Sequence, residues 1–273
     1  MSTNAAWVNE QAPRPACCFA PPEAWSEERV RLDRDETHYL TRVLRLKAGA
    51  EVRVVDGLGR EGRGRLHAVT PAAAGVLLDS LRRHVRAQPR KVLIQALIRG
   101  PRMEWLLQKA TELGADSIVV FQARRSVVRW SGGDERHKVA RWQRIVREAA
   151  RQCGVPWLPV IVPPRDGLPL PGDSIPRTVL WGCLAPDARP LLNVLQDLDA
   201  ESAKAEVGFL IGPEGDLAPE EESALRDAGA IPVSLGPLTL RAETAALYAL
   251  SAMGCYGHAR YKPPDLRSRP TGG

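Results

Sequence analysis

The chain has 273 residues, 44% apolar and 26% charged, with 38 basic against 32 acidic residues and a net charge of +6. That length suits two domains and a core without cross-links. Five cysteines with no CxxC pairing and five scattered histidines speak against a disulfide framework and a metal cluster, so free thiols and no metal are expected. The N-terminal MSTNAAWVNEQAPRPACC lacks the basic and apolar regions of a signal peptide, and no run approaches the roughly 18 to 20 apolar residues of a membrane span. A soluble, cytoplasmic protein with no membrane partner is expected, its basic excess favouring an anionic partner such as nucleic acid.

Residues 1–17 read as a flexible leader. From 18 to 86 the runs ERVRL, EVRVVDG, GRGRLHAV and GVLLDSL alternate in part and are separated by Gly and Asp turns, which predicts short strands and a small barrel. One short helix over 36–44 interrupts them. Gly57-Leu58-Gly59-Arg60-Glu61-Gly62 fits GxGxxG after a strand-like run, but a dinucleotide fingerprint must open a helix. The chain continues RGRLHAVT, so the Asp56-Gly57 pair is expected to turn a hairpin. RRHVRAQPR, with Pro89, reads as a linker.

From Lys91 the texture becomes alternating apolar strands and amphipathic helices, which predicts an α/β domain with a mainly parallel sheet over 91–259. KVLIQALI, SIVVF, TVLWG, FLIG and PVSLG are the strands. Helices are expected over 102–113, 138–153 and about 190–198, with a Pro-rich loop over 162–176 and a disordered tail over 260–273. The helix over 138–153 carries Arg141, Arg144, Arg147 and Arg151 on one face with only Glu148 against them. That stripe is either a solvated face or a surface turned to RNA. No GxxxxGK[ST] loop or GxSxG elbow is present.

The most informative stretch is 208–253. FLIG and PVSLG each end in a glycine turn that leads into a helix, and glycines at strand ends let backbone approach a ligand. Ile211-Gly212-Pro213-Glu214-Gly215, Leu235-Gly236-Pro237 and Leu240-Arg241-x-Glu243-Thr244-Ala245 follow one another there. HYLTRVLRLK, MEWLLQKATELG, Arg125-Ser126-Val127 and RWQRIVREAARQ precede them. In order and spacing this set resembles the ribosomal RNA small subunit methyltransferase E family, the uracil-N3 methyltransferases of the SPOUT superfamily, from about Cys18 to about Tyr256.

The resemblance implies a C-terminal SPOUT domain with a deep trefoil knot and a small N-terminal PUA-like β-barrel. It implies a homodimer that uses S-adenosyl-L-methionine to methylate N3 of one uridine (U1498 in the family) of 16S rRNA, within the assembled small ribosomal subunit. The cofactor residues it points to are Leu180, Trp181, Leu210, Ile211, Gly212, Pro213, Gly215, Leu235, Gly236, Leu240 and Thr244. Arg241 is implied to orient the uracil or stabilise its developing anion, and Glu243 to accept a proton or hold Arg241; a structural ion pair at a helix start is the alternative for both. Arg42, Arg45, Arg60, Arg63, Arg65, Arg125, Arg144 and Arg151 are the expected RNA contacts, with ordinary surface charge the alternative for several. The chain departs from the family at Val155, Asp216, Ala218, Leu238 and Ala242. A relative that binds RNA but has lost activity, or has another RNA target, is the second reading.

Overall fold

The computed structural model describes residues 15–70, 73–130, 135–173, 175–198 and 205–260. The expected leader lies outside these as far as residue 14, and the expected tail from residue 261 onward. The chain divides into two compact units, Met1–Arg86 with Arg147–Leu158, and Ala87–Val146 with Pro159–Gly273. The sequence boundary near Pro89 is therefore incomplete, because the segment 147–158 groups with the first unit.

In the first unit, strands β1 (Ala16–Phe19), β2 (Arg29–Leu32), β3 (Glu51–Val55), β4 (Arg60–His67) and β5 (Ala74–Arg83) form one sheet in the order β1-β3-β4-β5-β2. All ladders are antiparallel except β1 with β3. β1 begins inside the expected leader because Cys17 and Cys18 are buried. The closure expected of a barrel is not made by a β1–β2 ladder among the described residues. With four residues each, these strands are edges. Buried Leu40, with Trp25, Tyr39 and Leu46, packs against the core of Cys18, Val30, Val52, Val54, Leu66 and Val76.

The expected short helix is α1 (Arg34–His38), capped by Asp33, whose Oδ1 accepts from Glu36 N at 2.8 Å; it runs on into a π-helical turn, Tyr39–Val43. The GxGxxG run is the β3–β4 hairpin turn: Asp56 Oδ1 accepts from Leu58 N at 2.7 Å and Arg60 N at 2.9 Å. Gly59 is needed because the Trp157 ring lies where its Cβ would stand, 2.2 Å from Cζ2.

The second unit has a seven-stranded, wholly parallel sheet. Its strands are β6 (Arg90–Ala96), β7 (Ser117–Gln122), β8 (Val160–Asp166), β9 (Thr178–Gly182), β10 (Arg189–Pro190), β11 (Glu206–Ile211) and β12 (Ile231–Ser234), in the order β10-β12-β9-β11-β6-β7-β8. The helices are α2 (Gly100–Glu112), α3 (Glu135–Cys153), whose residues from Arg147 onward group with the first unit, α4 (Leu191–Asp197), α5 (Pro219–Asp227) and α6 (Ala242–Arg260). β8 corrects the expected Pro-rich loop. It is an edge strand, where Pro163 and Pro164 cost no inner ladder bonds. Val92, Ile94, Phe121, Val179, Trp181 and Leu210 form the core, and α6 packs on α2, α4, β6 and β11.

Candidate functional site

Register creates the site. β9 lies between β11 and β12, and Gly182 at its end stands opposite both Ile211 and Val233. Three carboxyl ends of parallel strands thus finish level, the place where open α/β sheets hold ligands. The loops that leave them enclose a cavity of about 280 Å³. Gly182, Cys183 and Leu184 come from β9; Ile211, Gly212, Pro213, Glu214 and Asp216 from β11. Leu235, Gly236, Leu238, Thr239, Leu240 and Arg241 follow β12, and Ala242 and Ala245 open α6.

Of the expected cofactor residues, Ile211, Gly212, Pro213, Leu235, Gly236 and Leu240 line this cavity. Leu180, Trp181 and Leu210 are buried strand residues behind it, and Thr244 is exposed on α6. Gly215 is not a lining residue. Its Cβ would stand 3.3 Å from the Arg125 carbonyl oxygen, so its small size serves loop packing. Gly236 has φ +118 with nothing within 4 Å, so backbone conformation alone requires glycine there. Gly182 ends the expected strand TVLWG, whereas Cys183 and Leu184 carry no local signal in the sequence; the register brings all three to the cavity. Burial pushes the Cys183 thiol up, with smaller opposing effects from Ala185 and Arg226.

Asp216, one of the expected departures from the family, takes the left-handed conformation, φ 59. Its N–H donates to the Pro213 carbonyl at 3.0 Å, closing the turn. Aspartate is among the few residues that enter this region readily, so the turn survives the departure. Ala218 caps α5 without a side-chain acceptor. Glu221 makes half a capping box, its Oε2 accepting from Ala218 N at 2.9 Å while Oε1 accepts from Arg124 N at 3.0 Å. The loop after β7 is thereby fastened to the loop after β11. Arg125 adds a bond from Nη1 to the Leu217 carbonyl at 3.2 Å.

Arg241 is exposed at the cavity, and its carbonyl accepts from Ala245 N at 2.8 Å. Among the described residues its guanidinium has no ion pair. Glu243 is 8% exposed, and it is not paired with Arg241 as one reading of the sequence expected. Its partner is Arg102 of α2, whose Nε lies 3.6 Å from Glu243 Oε1 while Nη1 donates to Glu214 Oε1 at 3.3 Å. Glu243 Oε2 is buried without a hydrogen-bond partner.

In the first unit, Arg42 and Arg45 are exposed on the turn after α1, beside exposed Val43 and Leu44, and Arg45 has φ 55. Arg60 pairs with Asp56 at 3.6 Å and lies 5.3 Å from the Trp25 ring centre; Arg63 is 3.8 Å from Glu61. Exposed Arg65 donates to the Gly49 carbonyl at 3.2 Å. Arg144 is exposed on α3. Arg151 turns inward, donating to Glu36 Oε1 at 2.6 Å and stacking 4.2 Å from the Tyr39 ring centre, a bracing position. Among the described residues no three His, Cys, Asp or Glu side chains are grouped to hold a metal ion, and no helix is long and apolar enough to cross a membrane.

Residues 86–254 match the family model of an RNA methyltransferase domain, and residues 32–71 that of an RNA methyltransferase PUA domain. The ribosomal RNA small subunit methyltransferase E of Mycobacterium tuberculosis is 34% identical over 232 residues, 82% of this chain and 85% of that protein. The Bacillus subtilis protein of the same name is 30% identical over 243 residues, 80% of this chain and 87% of that protein. Among solved structures, a ribosomal RNA small subunit methyltransferase E from Neisseria gonorrhoeae bound to S-adenosyl methionine superposes with TM-score 0.75 at 26% identity, covering 89% of this chain and 98% of that one. A putative methyltransferase of Legionella pneumophila in complex with bound SAM superposes with TM-score 0.76 at 26% identity and the same coverage.

Proposed function

This chain belongs to the ribosomal RNA small subunit methyltransferase E family, and from that premise we propose that it methylates N3 of one uridine of 16S rRNA, U1498 in the family, using S-adenosyl-L-methionine. The observation that carries the reading is the level alignment of Gly182, Ile211 and Val233, which assembles the loop cavity at the ends of three neighbouring parallel strands.

The lining fits the cofactor. Gly182, Gly212 and Gly236 put no side chain between the backbone and a ligand, while Ile211, Leu235 and Leu240 offer apolar contact, the mixture that small-molecule sites use. When bound, S-adenosyl-L-methionine supplies an electrophilic methyl group. The protein's own residues then have three tasks. The glycine turns would hold the cofactor beside the uracil, whose N3 must be unpaired to be reached. The guanidinium of Arg241 orients the uracil and stabilises the negative charge left on it as the N3 proton departs. Glu243, next to the lining residue Ala242, accepts that proton. In the transfer, the N3–CH₃ bond forms as the S–CH₃ bond breaks.

We further propose the deep trefoil knot of the SPOUT fold for the second unit, a homodimer, a cytoplasmic location, and the assembled small subunit as substrate. Half-exposed Trp105 on α2 and half-exposed Tyr248 on α6 support a partner that covers these helices. In the first unit, Arg42 and Arg45 beside exposed Val43 and Leu44 support RNA contact: the charges for phosphate, the apolar pair for bases.

The test is transfer of labelled methyl to small subunits from a strain lacking this protein, with the modified base mapped. Methyl-uridine at one site is expected. Cofactor binding without transfer to any RNA would favour the RNA-binding relative.

A further inference from the structure

We infer that Arg102 is a positioning residue that clamps Glu243 from one side and leaves Glu243 Oε2 as the acceptor for a hydrogen-bond donor of the bound reactants; the inference rests on the methyltransferase reading. Three elements distant in sequence meet here. Arg102 stands in the first turn of α2, Glu214 in the turn after β11, and Glu243 in the first turn of α6. One guanidinium uses two different nitrogens on the two carboxylates, at 3.3 Å to Glu214 and 3.6 Å to Glu243. Exposure is graded across the group, with side chains 38% exposed at Arg102, 29% at Glu214 and 10% at Glu243.

That gradient separates clamp from acceptor. Glu214 lines the cavity and is partly hydrated. Glu243 has exchanged water for protein, yet only Oε1 has a cation near it; Oε2 is fully enclosed and has no hydrogen-bond partner. Buried polar atoms are nearly always paired, and those left unpaired mark either strain or a function that supplies the partner later. Glu243 is not itself a lining residue, but Glu214, held by the same guanidinium, lines the cavity, so the missing partner is sought on that side. The group has two carboxylates and one guanidinium, a net negative charge that favours a donor or a proton over a second anion. Arg102 holds the carboxylate by Oε1, which restrains its rotamer and leaves Oε2 unoccupied.

The test uses the full-length protein, saturating S-adenosyl-L-methionine and small subunits lacking the methyl group. Arg102→Met is expected to slow single-turnover transfer by up to about 100-fold, the scale of a misplaced reacting group. It should leave cofactor affinity near wild type. Arg102→Lys should restore part of the rate, since a cation without the fork replaces it. The double variant Arg102→Met/Glu243→Gln should be no slower than Glu243→Gln alone. Lys109→Met, which removes a pair with Glu112 farther along α2, should not change the rate. A rate for Arg102→Met within about twofold of wild type, or losses that multiply in the double variant, would overturn the inference. If the wild type itself transfers no methyl, the methyltransferase reading fails. The clamp is then judged by the same double-mutant cycle on urea unfolding, where coupled losses support it and additive losses overturn it.

Discussion

Arg151 Nη2 lies 2.6 Å from Glu36 Oε1, and both side chains are largely buried in the first unit, at 15% and 5% exposure. Glu36 Oε2 accepts from Phe19 N at 3.1 Å, so one carboxylate joins β1, α1 and the end of α3. Burial raises the Glu36 carboxyl above its ordinary 4.5, with Arg151 and the Phe19 N–H pulling it back. The folded chain therefore keeps this proton to higher pH than the unfolded chain. The stabilisation linked to it is fully present below the ordinary value and is lost as pH rises through the raised one. The stability of wild type relative to Glu36→Gln should increase as pH falls from neutrality towards 4.5; the opposite slope in paired urea titrations would contradict this. Arg151→Met should cost about 3 kcal/mol at neutral pH, because it strands a buried carboxylate.

Glu221→Ala should destabilise the second unit by about 1–3 kcal/mol, since the N–H groups of Arg124 and Ala218 lose their acceptor. Glu221→Gln, which keeps one acceptor oxygen, should cost less. Urea midpoints measure both. Cofactor titration should show weaker binding in the alanine variant, because the loop after β11 lines the cavity. Equal midpoints for the two variants would show that the second bond carries nothing.

Gly236→Ala forces a side chain into φ +118, a strain of about 1–3 kcal/mol, with no clash to add to it. The turn it distorts lines the cavity, so cofactor affinity should fall together with stability. Gly100→Ala offers the contrast. It stands at the start of α2 with open space around it and no positive φ, and the change should be neutral or stabilising. Calorimetry with S-adenosyl-L-methionine on both variants tests the pair.

Arg241→Ala should damage transfer far more than cofactor binding. Its guanidinium is exposed at the cavity with no ion pair among the described residues, whereas the cofactor contacts expected here are mostly main chain. A loss of about 100-fold in single-turnover rate is expected, comparable with removing one stabiliser of a developing anion. An unchanged rate on assembled small subunits would exclude the role.

Arg42→Ala/Arg45→Ala should weaken RNA binding most at low salt. Without these two phosphate-binding charges, the slope of log K against log salt should be shallower by about 1.4 to 1.8. Filter binding over a salt series gives the slope. An unchanged slope would reassign both arginines to ordinary surface charge.

Local pattern was enough to write five of the seven parallel strands of the second unit, because apolar runs carry their own signal; the edge strands β8 and β10, short or rich in proline, do not. The hairpin at Asp56-Gly57 and the two glycine turns at Gly212 and Gly236 were legible for the same reason. The motif set likewise announced the family. Tertiary structure decided what lies side by side. Only the register of β9 between β11 and β12 brings Gly182, Cys183 and Leu184 to the cavity. Only the packing of α2 near the start of α6 gives Glu243 the partner Arg102. Likewise only the grouping of residues 147–158 with the first unit turns Arg151 from an exposed stripe towards Glu36. Helical and strand periods report which face of an element is apolar. They carry no information on which distant charge will meet a buried carboxylate, because that is fixed by strand order and register, set by the whole core at once.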